Sequence, residues 1–288
     1  MGSFNFFTKT SSLALTLTLS FSAIADRFSD VEVTQLKLSE SSYMLTGSGG
    51  NIGVSAGKDG ILIIDNQFAP LSEKIIATLS TIQPGLPKYV VNTHYHGDHT
   101  GGNNLFGQSS IIFAHHNVLK RLAGDTSYKP AGLPSVTYHE GTSIHLNNST
   151  LHLLHMGPGH TDGDSVVLWA DKSVVHMGDL FFKDRYPYID LKAGGSVIGY
   201  RDNVATMIRK IDSATQVIPG HGEIANKDDL IRFKHMLDSS INWMQDNIAE
   251  GKTLEQVKAQ GVPKSERDWS WSFISHDRWI TTLYEGLK

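Results

Sequence analysis

The sequence contains no cysteine and no long run of charges of one sign. The first absence excludes a disulfide scaffold and any metal site built on thiolates. The second leaves no basic patch, and with a formal net charge of −4 the chain is not expected to bind nucleic acid. The remaining composition is that of an ordinary globular protein, because 40% of the 288 residues are hydrophobic.

An apolar stretch near the N-terminus, Leu13–Ile24, is too short to span a bilayer comfortably. Residues 1–25 contain one charge, Lys9, and close on Ala23–Ala25 before a polar segment. This layout is typical of a secretory signal, and a buried helix or strand is the alternative interpretation. We expect the signal to be removed and residues 26–288 to be periplasmic or secreted, without a stable membrane anchor.

Short apolar runs dominate the middle of the chain and predict strands. The expected strands are Asn51–Ser55, Ile61–Ile64, Tyr89–Val91, Ile111–Ala114, Leu151–Met156, Val166–Trp169, Val174–Met177 and Gln216–Ile218. Helical spacing of apolar residues interleaves with them, over Leu71–Leu79 and Val204–Ile211. This alternation predicts an α/β or layered αβ/βα domain. The glycine-rich segment Gly47–Asn51 is interpreted as a hairpin turn.

Late in the chain the spacing becomes helical. Apolar residues step by three and four over Leu230–Ile248, which predicts one long helix. Shorter helices are expected near Leu254–Ala259 and Ser275–Leu287. We interpret residues 226–288 as a helical tail that packs on the main domain, so that residues 26–288 form a single domain.

One short segment concentrates four metal-capable side chains within six residues. Its sequence is His94-Tyr95-His96-Gly97-Asp98-His99. In an extended chain His94 and His96 point to the same side, so both can bind one metal ion. Gly97 lets the chain turn, and Asp98 and His99 then point toward a second ion. A solvated loop or a helix cap is the alternative, but imidazole and carboxylate groups suit a borderline cation.

Three later residues with ligand capacity stand beside glycine, just past the end of a predicted strand. They are His160 in Gly159-His160-Thr161, Asp179 after Gly178, and His221 in Pro219-Gly220-His221-Gly222. Each alone would be interpreted as a turn. Because several strand ends of one sheet meet at one rim, together they predict a shared site. The other histidines are interpreted as surface or core residues, with His115 and His116 as reserve candidates.

In these motifs the sequence resembles the metallo-β-lactamase-fold hydrolases, over about Tyr43 to Glu223. The resemblance rests on H-x-H-x-D-H, G-H-T, G-D and P-G-H-G. It implies a four-layer αβ/βα sandwich with a two-metal site at the edge of the sheets, extended here by the C-terminal helices. By this resemblance the ligands of the first metal are His94, His96 and His160. Those of the second are Asp98, His99 and His221, with Asp179 bridging both.

The implied chemistry is hydrolysis. Two cations acidify a shared water toward neutral pH, and we expect the resulting metal-bridging hydroxide to attack a carbonyl-type bond. Asp98 is the candidate catalytic residue, which orients the nucleophile or accepts its proton. Ligands that are all nitrogen or oxygen favour two Zn²⁺ per chain, and iron or manganese is compatible with the same ligands.

The bond that is cut is less sharply indicated. Asp179 is a bridging ligand that the three-histidine β-lactamases lack, so the ligand set looks like that of glyoxalase II thioesterases, lactonases and phosphodiesterases. We expect a small-molecule ester, thioester, lactone or β-lactam amide. Candidate substrate-binding residues follow Asp179, unless this segment is only a packed crossover loop. They are Phe182, Arg185, Tyr186 and Tyr188.

Two other functions are compatible with the motifs. One is a mononuclear-iron oxidoreductase similar to the sulfur dioxygenases of the same fold. The other is a non-catalytic zinc-binding protein, although structural zinc sites are usually closed by thiolates, which this chain lacks. The sequence makes no prediction of an oligomeric state.

Overall fold

The computed structural model describes residues 27–288. The predicted secretory signal, residues 1–25, lies outside the described residues, so its removal and the export of the chain stay predictions. Within the described part, no helix is both long enough and apolar enough to cross a membrane.

Two β-sheets form the centre of the structure. The first has seven strands in chain order: β1 (Thr34–Lys37), β2 (Ser42–Thr46), β3 (Ile52–Gly57), β4 (Gly60–Ile64), β5 (Tyr89–Asn92), β6 (Ile111–His115) and β7 (Val136–Tyr138). Strands β1 to β4 pair antiparallel, whereas β4 to β7 pair parallel. The parallel strands therefore end at one edge of the sheet, where side chains from separate parts of the chain can meet.

The second sheet has five strands in the spatial order β12-β11-β10-β9-β8. Their bounds are β8 (Gly141–Leu146), β9 (Ser149–His155), β10 (Ser165–Trp169), β11 (Val174–His176) and β12 (Gln216–Ile218). All neighbours are antiparallel except β11 and β12, which run parallel. The segments that follow β11 and β12 therefore leave the sheet at the same edge.

Helices cover the outer faces of both sheets. The helices of the described chain are α1 (Ser72–Ile82), α2 (Gly97–Thr100), α3 (Asn103–Phe106), α4 (His116–Ala123), α5 (Val197–Lys210), α6 (Lys227–Ala249), α7 (Leu254–Gln260) and α8 (His276–Leu287). Short 3₁₀ turns occur at Ala69–Leu71, Pro130–Gly132, Gly178–Leu180, Leu191–Ala193 and Lys264–Trp269.

The central strand β4 shows how the layers form. Ile61 and Ile63 are buried in the cluster that includes the apolar face of α1, whereas Leu62 and Ile64 are buried between the two sheets. Successive side chains of a strand point to opposite faces, so a strand that is apolar throughout is covered on both sides. The outer face of the second sheet packs against α5, α6 and α8. The result is a four-layer αβ/βα sandwich of mixed α/β class, and the predicted fold is confirmed.

The C-terminal helices pack on the second sheet. Helix α6 begins at a capping box, in which the Asn226 side chain accepts from the backbone N–H of Asp229 and the Asp229 side chain accepts from that of Asn226. Trp279 of α8 is fully buried in the same apolar cluster as Val217 of β12. The predicted helical extension is confirmed, whereas the assignment of residues 26–288 to one domain stays a prediction.

Candidate metal centre and its cavity

Seven metal-capable side chains meet at the edge of the two sheets. They are His94, His96, Asp98, His99, His160, Asp179 and His221. The first four follow strand β5, and the last three follow β9, β11 and β12. The structure therefore brings together all seven residues that the sequence motifs singled out.

The ligand atoms of these residues form two groups, and within each group all of them lie within 4.8 Å of one another. The first group consists of His94, His96, His160 and Asp179. The second consists of Asp98, His99 and His221. Among residues 27–288, no other group of three or more such side chains meets this spacing.

The carboxylate of Asp179 lies between the two groups. Its Oδ2 is 3.7 Å from Nε2 of His94 and 3.4 Å from Nε2 of His160. Its Oδ1 is 3.0 Å from Nε2 of His99 and 3.4 Å from Nε2 of His221. One oxygen thus faces each group, which is the arrangement that a bridging ligand requires.

Hydrogen bonds at the opposite ring nitrogen orient the histidines of the first group. Nδ1 of His160 donates to the carbonyl of Tyr188 at 2.7 Å. Nε2 of His96 donates to the carboxylate of Asp190 at 3.1 Å. Each imidazole therefore directs its other nitrogen, which carries the lone pair, into the centre. These nitrogens are Nε2 of His160 and Nδ1 of His96, and they lie 2.8 Å apart.

Asp65, which the sequence motifs did not include, orients two more histidines. Its carboxylate accepts from Nδ1 of His99 at 2.7 Å and from the hydroxyl of Thr93 at 2.7 Å. Because that hydroxyl gives its single proton to Asp65, it acts as the acceptor for Nδ1 of His94, 3.0 Å away. Asp65 directly follows the apolar strand β4. Like the predicted ligands it is therefore a metal-capable residue just past the end of a strand, but it has no neighbouring glycine.

Asp190 is a second residue that the sequence analysis missed. Besides His96, it accepts a hydrogen bond from the hydroxyl of Tyr95 at 2.8 Å and, at the start of a short turn, from the backbone N–H of Ala193. The hydrogen bond from His96 contributes most to holding the pKa of Asp190 below its ordinary value. An ionised acceptor fixes which nitrogen of His96 carries the proton.

Burial and charge set the protonation states of the imidazoles. Burial lowers the pKa of His94 well below its ordinary value, and the nearby His99 lowers it further. Burial also lowers the pKa of His160, to about 4. Both rings are therefore neutral at neutral pH, which is the form that binds a cation.

At the second group, the charges of the carboxylates oppose the lowering of histidine pKa values by burial. Burial raises the pKa of Asp179, but the charges of His99 and His221 outweigh burial and hold the pKa well below its ordinary value. Burial lowers the pKa of His221, but Asp179 and Asp98 outweigh it and raise the pKa to about 9. Asp179 is thus an ionised buried carboxylate, whose charge has to be balanced by protons on histidine or by a metal ion.

Three buried atoms of the centre make no hydrogen bond within the described part of the chain. They are Nε2 of His94, Nε2 of His99 and Oδ1 of Asp179. A buried polar atom without a partner is destabilising, unless it binds an ion or water. Imidazole nitrogen and carboxylate oxygen are suitable ligands for zinc and related divalent ions, so the residues fit a metal.

Two glycines allow the backbone to approach the candidate ligands closely. A Cβ atom at Gly220 would lie 2.1 Å from Oδ1 of Asp179, and one at Gly50 would lie 2.1 Å from Cε1 of His99. Gly50 belongs to the turn between the antiparallel strands β2 and β3. The neighbouring Asn51 donates through its side chain to the carbonyls of Pro219 and Gly222, which ties this turn to the segment that carries His221.

A cavity of about 500 Å³ opens onto the centre. Aromatic side chains make up much of its wall. They are Phe68, Phe182, Tyr188, Trp271 and Phe273. Metal-capable residues His96, Asp98, Asp179 and His221 line it as well, and apart from these Arg27 is the single cationic residue among the lining residues of the described chain. The cavity can therefore present a largely apolar small molecule to the centre.

The four predicted substrate-binding residues occupy different environments. Phe182 and Tyr188 line the cavity. Arg185 does not, and its guanidinium carbon instead lies 5.1 Å from the ring centroid of Trp271. The expectation for Tyr186 is wrong, because its side chain is fully buried, packs on Trp279 and donates its hydroxyl to the carbonyl of Glu266 at 2.6 Å.

The segment after Asp179 thus presents its residues in opposite directions, and Tyr186 points into the helical layer. The two residues that complete the wall, Trp271 and Phe273, come from the C-terminal tail. Nothing in the sequence connects them to the site, because they lie far along the chain and carry no metal-binding motif.

The reserve histidines lie apart from the centre. The ring of His115 stacks on that of His155 at 3.9 Å, and Nδ1 of His115 accepts from the backbone N–H of Asn117 at the start of α4. Burial and the neighbouring histidines, His155 foremost, lower the pKa of His115 to about 4. This cluster has the geometry of a packed structural element.

A two-sheet sandwich with a His/Asp centre at its edge is the architecture of a metallohydrolase. The family model of the metallo-beta-lactamase superfamily matches residues 46–221. The chain belongs to the metallo-beta-lactamase superfamily, so the family predicted from the motifs is confirmed.

Characterised relatives agree with this assignment. The metallo-beta-lactamase type 2 of Bacillus sp. (strain 170) is 24% identical over 182 residues, which cover 62% of this chain and 68% of the relative. The hydroxyacylglutathione hydrolase of Methylococcus capsulatus (strain Bath) is 32% identical over 94 residues, or 33% of this chain and 34% of the relative. Both names are those of hydrolases, the first of them metal-dependent, and the present chain is a metal-dependent hydrolase of the same superfamily.

One solved structure matches most of the chain. The sec-alkylsulfatase Pisa1 from Pseudomonas sp. has a TM-score of 0.71 at 14% identity and covers 89% of this chain and 51% of its own. Identity this low shows a shared fold alone.

Proposed function

We propose that the chain is a two-zinc hydrolase that cuts a carbonyl-type bond in a small molecule: an ester, a thioester, a lactone or a β-lactam amide. The single observation that carries this proposal is the position of Asp179, whose two oxygens face the two ligand groups. A carboxylate placed in this way supports two ions that share one ligand. Five imidazoles and two carboxylates suit zinc, and iron or manganese is compatible with the same ligands.

The residues of the chain prepare this chemistry. When bound, the metal pair supplies an acidified water as nucleophile and a positive charge that stabilises the developing oxyanion. Asp98 lines the cavity with its side chain 25% exposed, so it can contact both nucleophile and substrate. Burial raises its pKa, but His99 and a hydrogen bond from His221 outweigh burial and lower it. Asp98 is therefore ionised at neutral pH and can orient the nucleophile or accept its proton.

The relatives and the cavity wall support a carbonyl substrate. Apart from the candidate metal ligands, Arg27 is the single cationic side chain on the wall formed by the described residues, so the wall offers an anionic substrate little charge beyond the centre itself. The relatives are named for β-lactam amides and for the thioester of hydroxyacylglutathione. Both are carbonyl compounds, and the aromatic wall suits their apolar parts.

Metal analysis and a substrate panel test this proposal together. We expect two equivalents of zinc in the purified chain, loss of activity with a chelator and recovery with zinc. The panel contains a lactone, a thioester, a β-lactam, a phosphodiester and an alkyl sulfate, each assayed with zinc, iron and manganese. Hydrolysis confined to the phosphodiester or the sulfate would contradict the proposal. So would oxygen consumption on a persulfide by the iron form alone.

A further inference from the structure

Four aromatic rings form a continuous wall of the cavity, which we call the aromatic arc. In spatial order they are Tyr188, Phe273, Trp271 and Phe182. Successive ring centroids are separated by 5.6, 5.5 and 6.2 Å. These distances lie within the range of direct ring contact.

The arc joins the two ligand groups. At one end the ring of Tyr188 lies 5.7 Å from that of His96, which belongs to the first group. At the other end Phe182 stacks on His221 of the second group at 5.0 Å. A molecule whose reacting bond lies at the candidate metal centre is therefore enclosed by the arc on one side.

Hydrogen bonds hold the tail half of the arc in place. Nε1 of Trp271 donates to the carbonyl of Tyr186 at 3.0 Å. Arg278 donates to the carbonyl of Phe273 at 2.9 Å, and its guanidinium carbon lies 4.2 Å from the centroid of that ring. The backbone at Tyr186, whose side chain is buried in the helical layer, thus holds Trp271 in place. The wall is formed before a ligand arrives, which reduces the entropy lost on binding.

One ring of the arc, that of Phe273, is only partly covered by its neighbours. Phe273 is 48% exposed although it lines the cavity and contacts two other rings. The ring planes of Phe273 and Tyr188 meet at 74°, and those of Phe273 and Trp271 at 57°. Such a wall offers both faces and edges, which a further aromatic ring can match by tilted or edge-to-face contacts. A saturated group of equal size gains only from the burial of apolar area.

We propose that the aromatic arc binds an aryl ring of the substrate, so that the substrate class is carbonyl compounds with an aromatic ring beside the bond that is cut. This inference rests on the proposed function and goes beyond it by naming the recognised group. No acidic side chain belongs to the arc, and the two acidic residues on the cavity wall, Asp98 and Asp179, belong to the ligand groups. The arc therefore does not favour a cationic ring, and the guanidinium of Arg278 lies over both Phe273 and Tyr188.

The test compares two substrates that differ only in the ring. The zinc-loaded full chain is assayed on phenylacetyl and cyclohexylacetyl forms of the bond type that the panel shows to be cut fastest. We expect kcat/KM to be about tenfold higher for the phenylacetyl form, mainly through KM. Phe273→Leu keeps apolar bulk and removes the ring, so it should abolish most of this preference. Equal kcat/KM for the two forms would overturn the inference, as would an undiminished preference in Phe273→Leu.

A matched control and a binding measurement separate this inference from the proposed function. Leu86 is 50% exposed in the loop before β5, so Leu86→Ala removes a similarly exposed apolar group and should leave the preference unchanged. Calorimetry with phenylacetate and cyclohexylacetate reports on the arc without hydrolysis. Tighter binding of phenylacetate that is lost in Phe273→Leu supports the arc even if no panel substrate is cut. Hydrolysis without any ring preference leaves the proposed function standing and overturns the arc.

Discussion

Oδ1 of Asp179 lies 3.0 Å from Nε2 of His99, although the two residues follow strands of different sheets. Both side chains are almost completely buried, and neither atom makes a hydrogen bond in the described part of the chain. A cation of the second group, bound by His99 and by this oxygen of Asp179, would satisfy both atoms at once. Asp179 is therefore the residue on which the two-metal account depends.

Asp179→Asn should lower the metal content from two equivalents to one or fewer. The amide has no charge and cannot present an anionic oxygen to both groups. Substitution of a residue that only hydrogen-bonds to a metal ligand typically lowers activity roughly 10- to 100-fold. We expect a larger loss for Asp179→Asn. Elemental analysis and kcat of the same preparation check this. As a control, Asp171→Asn replaces an exposed carboxylate at a turn and should change neither value. Full metal content and activity in Asp179→Asn would contradict the bridging role.

Asp65→Asn should weaken zinc binding while the ligands themselves stay unchanged. Asp65 accepts from His99 and from Thr93, which in turn orients His94. Without the carboxylate the two imidazoles lose their fixed protonation pattern, and zinc affinity should drop about 10- to 100-fold. Titration against a competing chelator measures this affinity. An affinity equal to that of the parent protein would show that Asp65 supports the fold alone.

Gly220→Ala should disrupt the centre, because the added methyl group would overlap the Asp179 carboxylate at 2.1 Å. We expect reduced zinc content together with a large loss of activity. Gly124→Ala is the matched control, since a Cβ atom there meets its nearest atom at 3.4 Å and the backbone is helical. It should preserve activity and stability. Equal behaviour of the two variants would mean that the close approach at Gly220 has no functional importance.

The metal-free protein should lose stability on acidification partly through His115. Its pKa in the folded state is lowered to about 4 from an ordinary value of 6.5. Because the unfolded chain binds the proton more readily, the folded state is favoured above pH 6.5, and this stabilisation is lost as the pH falls toward 4. His115→Asn keeps an acceptor for the backbone N–H of Asn117 and removes the titration.

Urea unfolding of both metal-free proteins between pH 4 and pH 7 measures this effect. The variant should lose less stability than the parent over this range. Parallel losses in the two proteins would assign the acid sensitivity to other groups.

The strands that position the site could be predicted, because their apolar residues are buried on both faces. Residues Gln216–Ile218 form β12 with the predicted bounds. In contrast, all four residues of β1, Thr34–Lys37, are exposed, and pairing with β2 alone makes them a strand. β8, Gly141–Leu146, is similar, because only Ile144 and Leu146 are buried. Edge strands of this kind leave little hydrophobic pattern in the sequence.

The candidate ligands could be predicted for a related reason. A histidine or aspartate beside glycine at a strand end is a local signal, and parallel strands bring such ends together. The wall of the cavity gives no local signal. Trp271 reaches the cavity only because the tail folds back and bonds to Tyr186, a contact between residues 85 positions apart. Proximity to Asp179 in sequence suggested Tyr186 itself as a wall residue, and the packing of the helical layer places it elsewhere.

Anomalous X-ray scattering at the zinc edge, from crystals of the zinc-loaded protein, tests the central claim most directly. The account predicts two peaks of similar height on either side of the Asp179 carboxylate, about 3.5–4 Å apart as in other two-metal sites. A single peak bound by His94, His96 and His160, or a peak away from Asp179, would contradict it.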